Sequence, residues 1–154
     1  MIKLDPLAFL KSILNGRSGK NFIKVPSEIK YLRNASYRIM SALGGYDLDE
    51  GIVFDIRLCI EEAVRNAMVH GNQFDKRKAV RIVYWVDEGA LHIEIEDEGA
   101  GFDHAASADP TIAPNLLKNS GRGVYLIGKL MDKVEYNDKG NKITMIKRLN
   151  RGGI

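Results

Sequence analysis

Residues 79–97 constrain the fold of this chain more than any other stretch. Val80, Ile82, Tyr84 and Val86 alternate with Arg81, Val83 and Trp85, Glu88-Gly89 intervenes, and Leu91, Ile93 and Ile95 then alternate with His92, Glu94 and Glu96. A two-residue period puts each set on one face of a pleated strand. Two such runs joined through Glu88-Gly89 read as a hairpin. One face of this ribbon must be covered by apolar residues from elsewhere, and His92 belongs to the other, solvated face.

Two helical segments offer the cover. Ile29, Leu32, Ala35, Ile39, Met40 and Leu43 recur at helical spacing after Pro26-Ser27, with Ser27 as N-cap, until Gly44-Gly45 stops them. Asp49 caps a second helix whose apolar positions Ile52, Ile56, Cys59, Ile60, Ala63 and Ala67 run toward a stop at Gly71. Residues 20–25 alternate like another strand, residues 133–137 and 142–148 form a last hairpin, and Gly121-Arg122-Gly123 opens a helix running to Met131. Helices on one face of a mixed, mostly antiparallel sheet give an α+β fold, a two-layer α/β sandwich. A chain of 154 residues holds one such core. Residues 1–19 read as an N-terminal arm and residues 20–150 as a single domain.

Composition excludes several classes. A hydrophobic fraction of 45% is too high for a disordered chain. No run approaches the roughly 20 apolar residues of a membrane span, and no signal cleavage site follows the first residues. The lone Cys59 falls in an apolar helical pattern, which suits a buried thiol in a reducing cytoplasm. A net charge of +3 does not imply nucleic acid. Asp87, Glu88, Glu94, Glu96, Asp97, Glu98 and Asp103, with no lysine or arginine among them, would repel a phosphate backbone.

Three elements carry candidate chemistry. On the second helix, Glu62, Asn66 and His70 are four apart and share one face, while Glu61 can pair with Arg65. Such a stripe is either a solvated face, or a site where an amide oxygen of Asn66 meets a hard cation and Glu62 takes a proton. The segment Asp97-Glu-Gly99-Ala-Gly101 follows a strand. It is either a tight glycine loop, or a close backbone approach beside a carboxylate that accepts from the amine of a base. Gly121-Arg122-Gly123 at a helix start offers backbone amides to a phosphate. Neither a P-loop nor a G-x-G-x-x-G fingerprint is present.

In this order, E-x-x-x-N on a helix, D-x-G-x-G after a strand, a loop of about twenty residues and G-x-G opening a helix resemble the GHKL ATPase superfamily over roughly residues 20–149. Within it, the segments 62–71, 97–103, 109–127 and 131–137 look most like the anti-sigma factor serine/threonine kinases of bacterial stress and sporulation control. The resemblance implies ATP and Mg²⁺ as cofactors, with Asn66 holding the metal and Glu62 as general base. It implies Asp97 on the adenine amine, and Gly99, Gly101 and Phe102 close to the nucleotide. Residues 102–120 would form an ATP lid, with Gly121, Arg122, Gly123 and Val124 at the phosphate end and Thr144 near the adenine. The implied partners are a sigma factor and a STAS-type antagonist, with neither nucleic acid nor membrane, and the implied assembly is a homodimer formed through the first helix and its neighbouring sheet edge. Competing readings are a noncatalytic ATP-binding module that sequesters a partner and a detached histidine-kinase-like ATPase domain.

Overall fold

The computed structural model describes residues 19–101 and 119–149. The expected N-terminal arm and most of the expected lid, Phe102 included, lie outside these residues.

Strands β2 (Ala79–Asp87) and β3 (Ala90–Glu96) form the expected hairpin, with Asp87 opposite Ala90. Glu88 and Gly89 have φ of 50° and 74°, the doubly positive pattern whose twist matches that of the flanking strands. β1 (Asn21–Pro26) pairs with β2, and β5 (Lys142–Arg148) pairs with β3 on the other side and with β4 (Lys133–Tyr136) at the far edge. The order is β1-β2-β3-β5-β4 and every described pair is antiparallel, so the parallel component allowed by a mixed sheet is not found among the described strands.

Ile23, Ile82, Ile95 and Ile143 stand in register across four strands, followed by Tyr84, Ile93 and Met145. All seven are buried on the face that meets the helices. Full burial of one such aliphatic side chain is worth about 1.5–3 kcal/mol, so this face dominates the stability of the fold. Helix α1 (Leu32–Ser41) follows a 3₁₀ turn at Ile29–Tyr31, α2 (Glu50–Asn66) lies between α1 and α3, and α3 spans Asn119–Leu130. Ile52, Ile56, Cys59, Ile60 and Ala63 of α2 face the sheet. Asp49 caps α2 as expected, its Oδ1 accepting from the amides of Gly51 at 2.7 Å and Ile52 at 3.2 Å.

Several local expectations are corrected. Ser27 is not an N-cap: it is buried, donates to the Lys78 carbonyl at 2.8 Å and accepts from Asn72 Nδ2 at 2.8 Å. A buried hydroxyl used by the tertiary structure is unavailable to a helix terminus. His92 is half-buried rather than solvated, stacked on Trp85 with ring centroids 4.9 Å apart, while Lys20 Nζ lies 4.2 Å from the centre of the Trp85 ring. Cys59 is buried as expected, and burial, with the Asp55 charge adding to it, pushes the thiol up to about 12. Lys147 faces the helices, bonds the Leu130 carbonyl at the end of α3 and pairs with Asp55 of α2 at 3.4 Å. A cation at the C-terminal end of α3 suits its dipole and fixes it against α2.

Candidate functional site

The cleft opens where α2 ends. Asn66 is its last residue, and the chain widens into a π turn over Ala67–Gly71, with the Asn72 amide donating to the Ala67 carbonyl at 2.8 Å. Such insertions bend a helix end and are frequent at functional sites. Gln73 and Phe74 follow with φ of 51° and 57°, a left-handed pair that turns the chain toward β2. For a bulky residue such as Phe74 this conformation stores strain, which the surrounding structure must hold.

The inner part of the cleft lies between α2, α3 and the sheet. Ala63 and Ala67 leave space on the helix side, Ile95 and Ile143 form the sheet side, and Val124 and Ile127 of α3 close it. Asp97 provides a carboxylate to this mainly apolar slot. Its Oδ1 accepts from the Gly99 amide at 2.8 Å, and burial raises its pKa above the usual carboxylate value while that same amide bond pulls the other way. Tyr136 also lines the slot, with its phenol pushed up to about 12 by burial. One acceptor at the end of an apolar slot suits a flat heterocycle carrying an exocyclic amine.

Beyond Asn66 the cleft widens and carries charged side chains, lined by Glu62, Arg65, His70 and Arg122 together with Val69, Gly123 and Leu126. The expected stripe of Glu62, Asn66 and His70 thus borders one cavity. Arg65 pairs with Glu62 and not with Glu61, its Nη1 2.9 Å from Glu62 Oε1. Helical spacing permits either partner. The chosen pairing occupies one carboxylate oxygen, while the other faces α3, because a Cβ at Gly123 would stand 2.9 Å from Glu62 Oε2 and 3.1 Å from Asn66 Nδ2. Glycine at 123 is therefore what keeps this mouth open.

The glycines of the Asp97 loop are close approaches. A Cβ at Gly71 would enter the Asp97 carboxyl group, and one at Gly99 would enter the Gly71 carbonyl. Gly101, with φ of 77°, rests on the Lys139 carbonyl. The structure thus brings Glu62, Asn66, Asp97, Gly101, Arg122, Gly123 and Val124 around adjoining pockets that share Asn66, His70 and Asp97, while Gly99 is buried against the Gly71 carbonyl and lines none of them. Gly121 and Gly123 do not precede the helix: α3 begins at Asn119, so both lie near its start. Asn119 and Ser120 are residue types favoured at helix N-termini, and first-turn amides still lack intrahelical acceptors. Thr144 is not in the cleft. It alternates with the buried Ile143 and Met145, stands opposite Glu94 and Glu135, and so occupies the other face of the sheet. Ile143 and Lys142 are the β5 residues that border the slot.

The sequence reading missed Ala63, Ile143, Tyr136 and Asn141 as lining residues and Arg65 as the partner of Glu62. The period-2 pattern of β5 carries the signal for Ile143, whereas Asn141 sits in a turn 44 residues from the loop it contacts.

Residues 25–147 match the histidine kinase-like ATPase domain family, and the chain belongs to that family. It is 32% identical over 138 residues to the serine-protein kinase RsbW of Bacillus subtilis, covering 83% of this chain and 84% of that one. It is 37% identical over 101 residues to an anti-sigma F factor of Clostridium perfringens, covering 62% and 72% of the two chains. Among solved structures, the RsbU and RsbW domains of Rv1364c from Mycobacterium tuberculosis share the fold with a TM-score of 0.60 at 17% identity, over 88% of this chain and 34% of that one. The chain therefore spans about a third of that structure's length.

Proposed function

We propose that this protein is an ATP- and Mg²⁺-dependent serine kinase that phosphorylates a STAS-type antagonist protein and sequesters a sigma factor. In this reading it works in the cytoplasm as a homodimer, with residues 20–150 as its single domain. The relatives' names, serine-protein kinase and anti-sigma F factor, support the activity and the partners. No described helix is long and apolar enough to cross a membrane. The observation that carries the reading is the placement of Glu62, Asn66 and Gly123 at the mouth of a slot whose inner end bears Asp97.

Asp97 accepts from the adenine amine, and the apolar walls exclude water from the base. Gly123 gives the phosphates room, and Gly121, in the first turn of α3, offers an amide without an intrahelical acceptor. Among the described residues no three His, Cys, Asp or Glu side chains converge as a metal cage. The Asn66 amide at the cleft mouth offers one protein oxygen, which fits Mg²⁺, an ion held by few protein ligands together with phosphate oxygens and water. Mg²⁺ supplies charge neutralisation across the phosphate oxygens when bound. Arg65 fixes Oε1 of Glu62, which leaves Oε2 to take the proton of the acceptor serine hydroxyl. The serine oxygen forms its bond to the γ-phosphorus, the bond to the β,γ-bridging oxygen breaks, and ADP leaves with that electron pair. Little covalent work falls to the protein, as expected for phosphoryl transfer.

The test is transfer of labelled γ-phosphate to candidate antagonists by the wild type and by Glu62→Gln. General-base removal costs about 10²–10⁴-fold in rate, while ATP affinity is expected to stay within about twofold. Undiminished transfer by Glu62→Gln removes Glu62 from that role. No transfer by a wild type that binds ATP and a sigma factor favours the noncatalytic module.

A further inference from the structure

The geometry points to Asn72 and Asn141 as a clamp that positions Asp97, a specificity function that rests on the reading of Asp97 as the adenine partner. The two side chains come from distant parts of the chain and grip the same loop from opposite sides.

Asn72 is 1% exposed and its amide is fully used. Its Nδ2 donates to Ser27 Oγ at 2.8 Å and to the Ala79 carbonyl at 3.0 Å, while its Oδ1 accepts from the Glu98 amide at 2.8 Å. Ser27 in turn donates to the Lys78 carbonyl at 2.8 Å, and the Glu98 carboxylate accepts from the Ala79 amide at 2.6 Å. A buried amide that lost one of these partners would bear its desolvation cost, so the network holds a single arrangement. Through it, the end of the π turn, the end of β1 and the start of β2 fix the peptide that follows Asp97.

Asn141 holds that same peptide at its carbonyl end with its side chain, and the peptide before Asp97 with its main chain. Its carbonyl accepts from the Asp97 amide at 2.9 Å, and its Nδ2 donates to the Asp97 carbonyl at 2.8 Å. Asn141 is itself held by Asn137, whose Nδ2 donates to Asn141 Oδ1 at 2.8 Å. Asn137 Oδ1 accepts from the amides of Gly140, Asn141 and Lys142 at 2.9, 3.0 and 3.1 Å. The peptides on both sides of Asp97 are thereby pinned, and Oδ1 is tied to Gly99. The remaining oxygen, Oδ2, is the atom that meets the base. Asn72 lines none of the pockets, and Asn141, which borders the slot, spends its side-chain amide on the Asp97 carbonyl and on Asn137; both act on the base through Asp97 and are positioning residues.

The experiment compares binding of ATP with that of purine riboside triphosphate, which lacks the 6-amino group, by calorimetry on wild type, Asn72→Ala and Asn141→Ala. Folding is checked by circular dichroism. Wild type is expected to prefer ATP by about tenfold or more, the effect of one hydrogen bond to a charged acceptor. Each variant is expected to lose most of that preference, to about threefold or less, through weaker ATP binding with the analogue little changed. Asn141 lies on a half-buried turn, so Asn141→Ala carries the test where Asn72→Ala does not fold. A preference kept at the wild-type value in a folded variant overturns the role of that asparagine. Parallel weakening of both nucleotides, with the ratio unchanged, has the same meaning, because it marks a merely structural effect. A wild-type ratio near one overturns Asp97 as the adenine partner, and the clamp with it.

Discussion

Asp97→Asn is expected to move nucleotide affinity and protein stability in opposite directions. Asparagine keeps the size of the side chain and an oxygen to accept from the Gly99 amide, now 2.8 Å away. Its NH₂ group, however, replaces the oxygen that meets the adenine amine, so a donor faces a donor. A hydrogen bond to a charged group contributes about 1.5–3 kcal/mol, and 1.4 kcal/mol is tenfold, so ATP binding is expected to weaken about 10- to 150-fold. Stability follows from the pKa. Burial raises the folded-state value above 3.8, so the folded protein binds the proton more tightly than the unfolded chain. The resulting contribution is present in full below about pH 3.8 and is lost as pH rises through the folded-state pKa. Above the folded-state pKa wild type carries an ionised, partly desolvated carboxylate, and asparagine removes that cost. Calorimetry with ATP, together with thermal unfolding from about pH 4 to pH 7, tests both arms. The variant is expected to bind ATP more weakly yet to melt no lower than wild type at pH 7, with its melting temperature rising relative to wild type across the range. Unchanged ATP affinity, or a melting temperature lowered at neutral pH, would refute the reasoning.

Two further substitutions or probes check separate parts of the account. Gly123→Val places branched carbon where a Cβ alone already comes within 2.9 Å of Glu62 Oε2 and 3.1 Å of Asn66 Nδ2, so the ends of both side chains must shift; ATP binding is expected to weaken in a folded protein, and normal binding would remove this mouth as the phosphate end. Cys59, buried and pushed up to about 12, is expected to resist a thiol reagent such as DTNB in the native protein at pH 8 and to react once unfolded; rapid native labelling would show that the sheet face of α2 opens readily.

Much of this architecture was legible because its signals are local. The alternation on either side of Glu88-Gly89 defined β2 and β3, and the 3.6-residue period with Asp49 at its head defined α2. The E-x-x-x-N and D-x-G-x-G elements were legible as types, and the fold supplies what spacing could not: that Glu62, Asn66 and Asp97 border one cleft. The errors have physical causes. Ser27 is a good N-cap by type, but a buried partner 45 residues away claims it. Arg65 had two acids within helical reach, and only packing decides between them. Thr144 was within reach of correction, since the alternation of β5 already places Ile143 and Met145 inward and Thr144 outward. Asn72 and Asn141 carry no local signature at all, because their partners in the Asp97 loop lie 26 and 44 residues away.

The central claim is that this cleft binds ATP with a metal ion held through Asn66. The most direct measurement is titration calorimetry of ATP with and without Mg²⁺ on wild type and on Asn66→Ala. The account predicts binding by wild type that is strengthened by Mg²⁺, and loss of that Mg²⁺-dependent gain in a folded Asn66→Ala. A wild type that binds no ATP, or a variant that keeps the full Mg²⁺ effect, would contradict it.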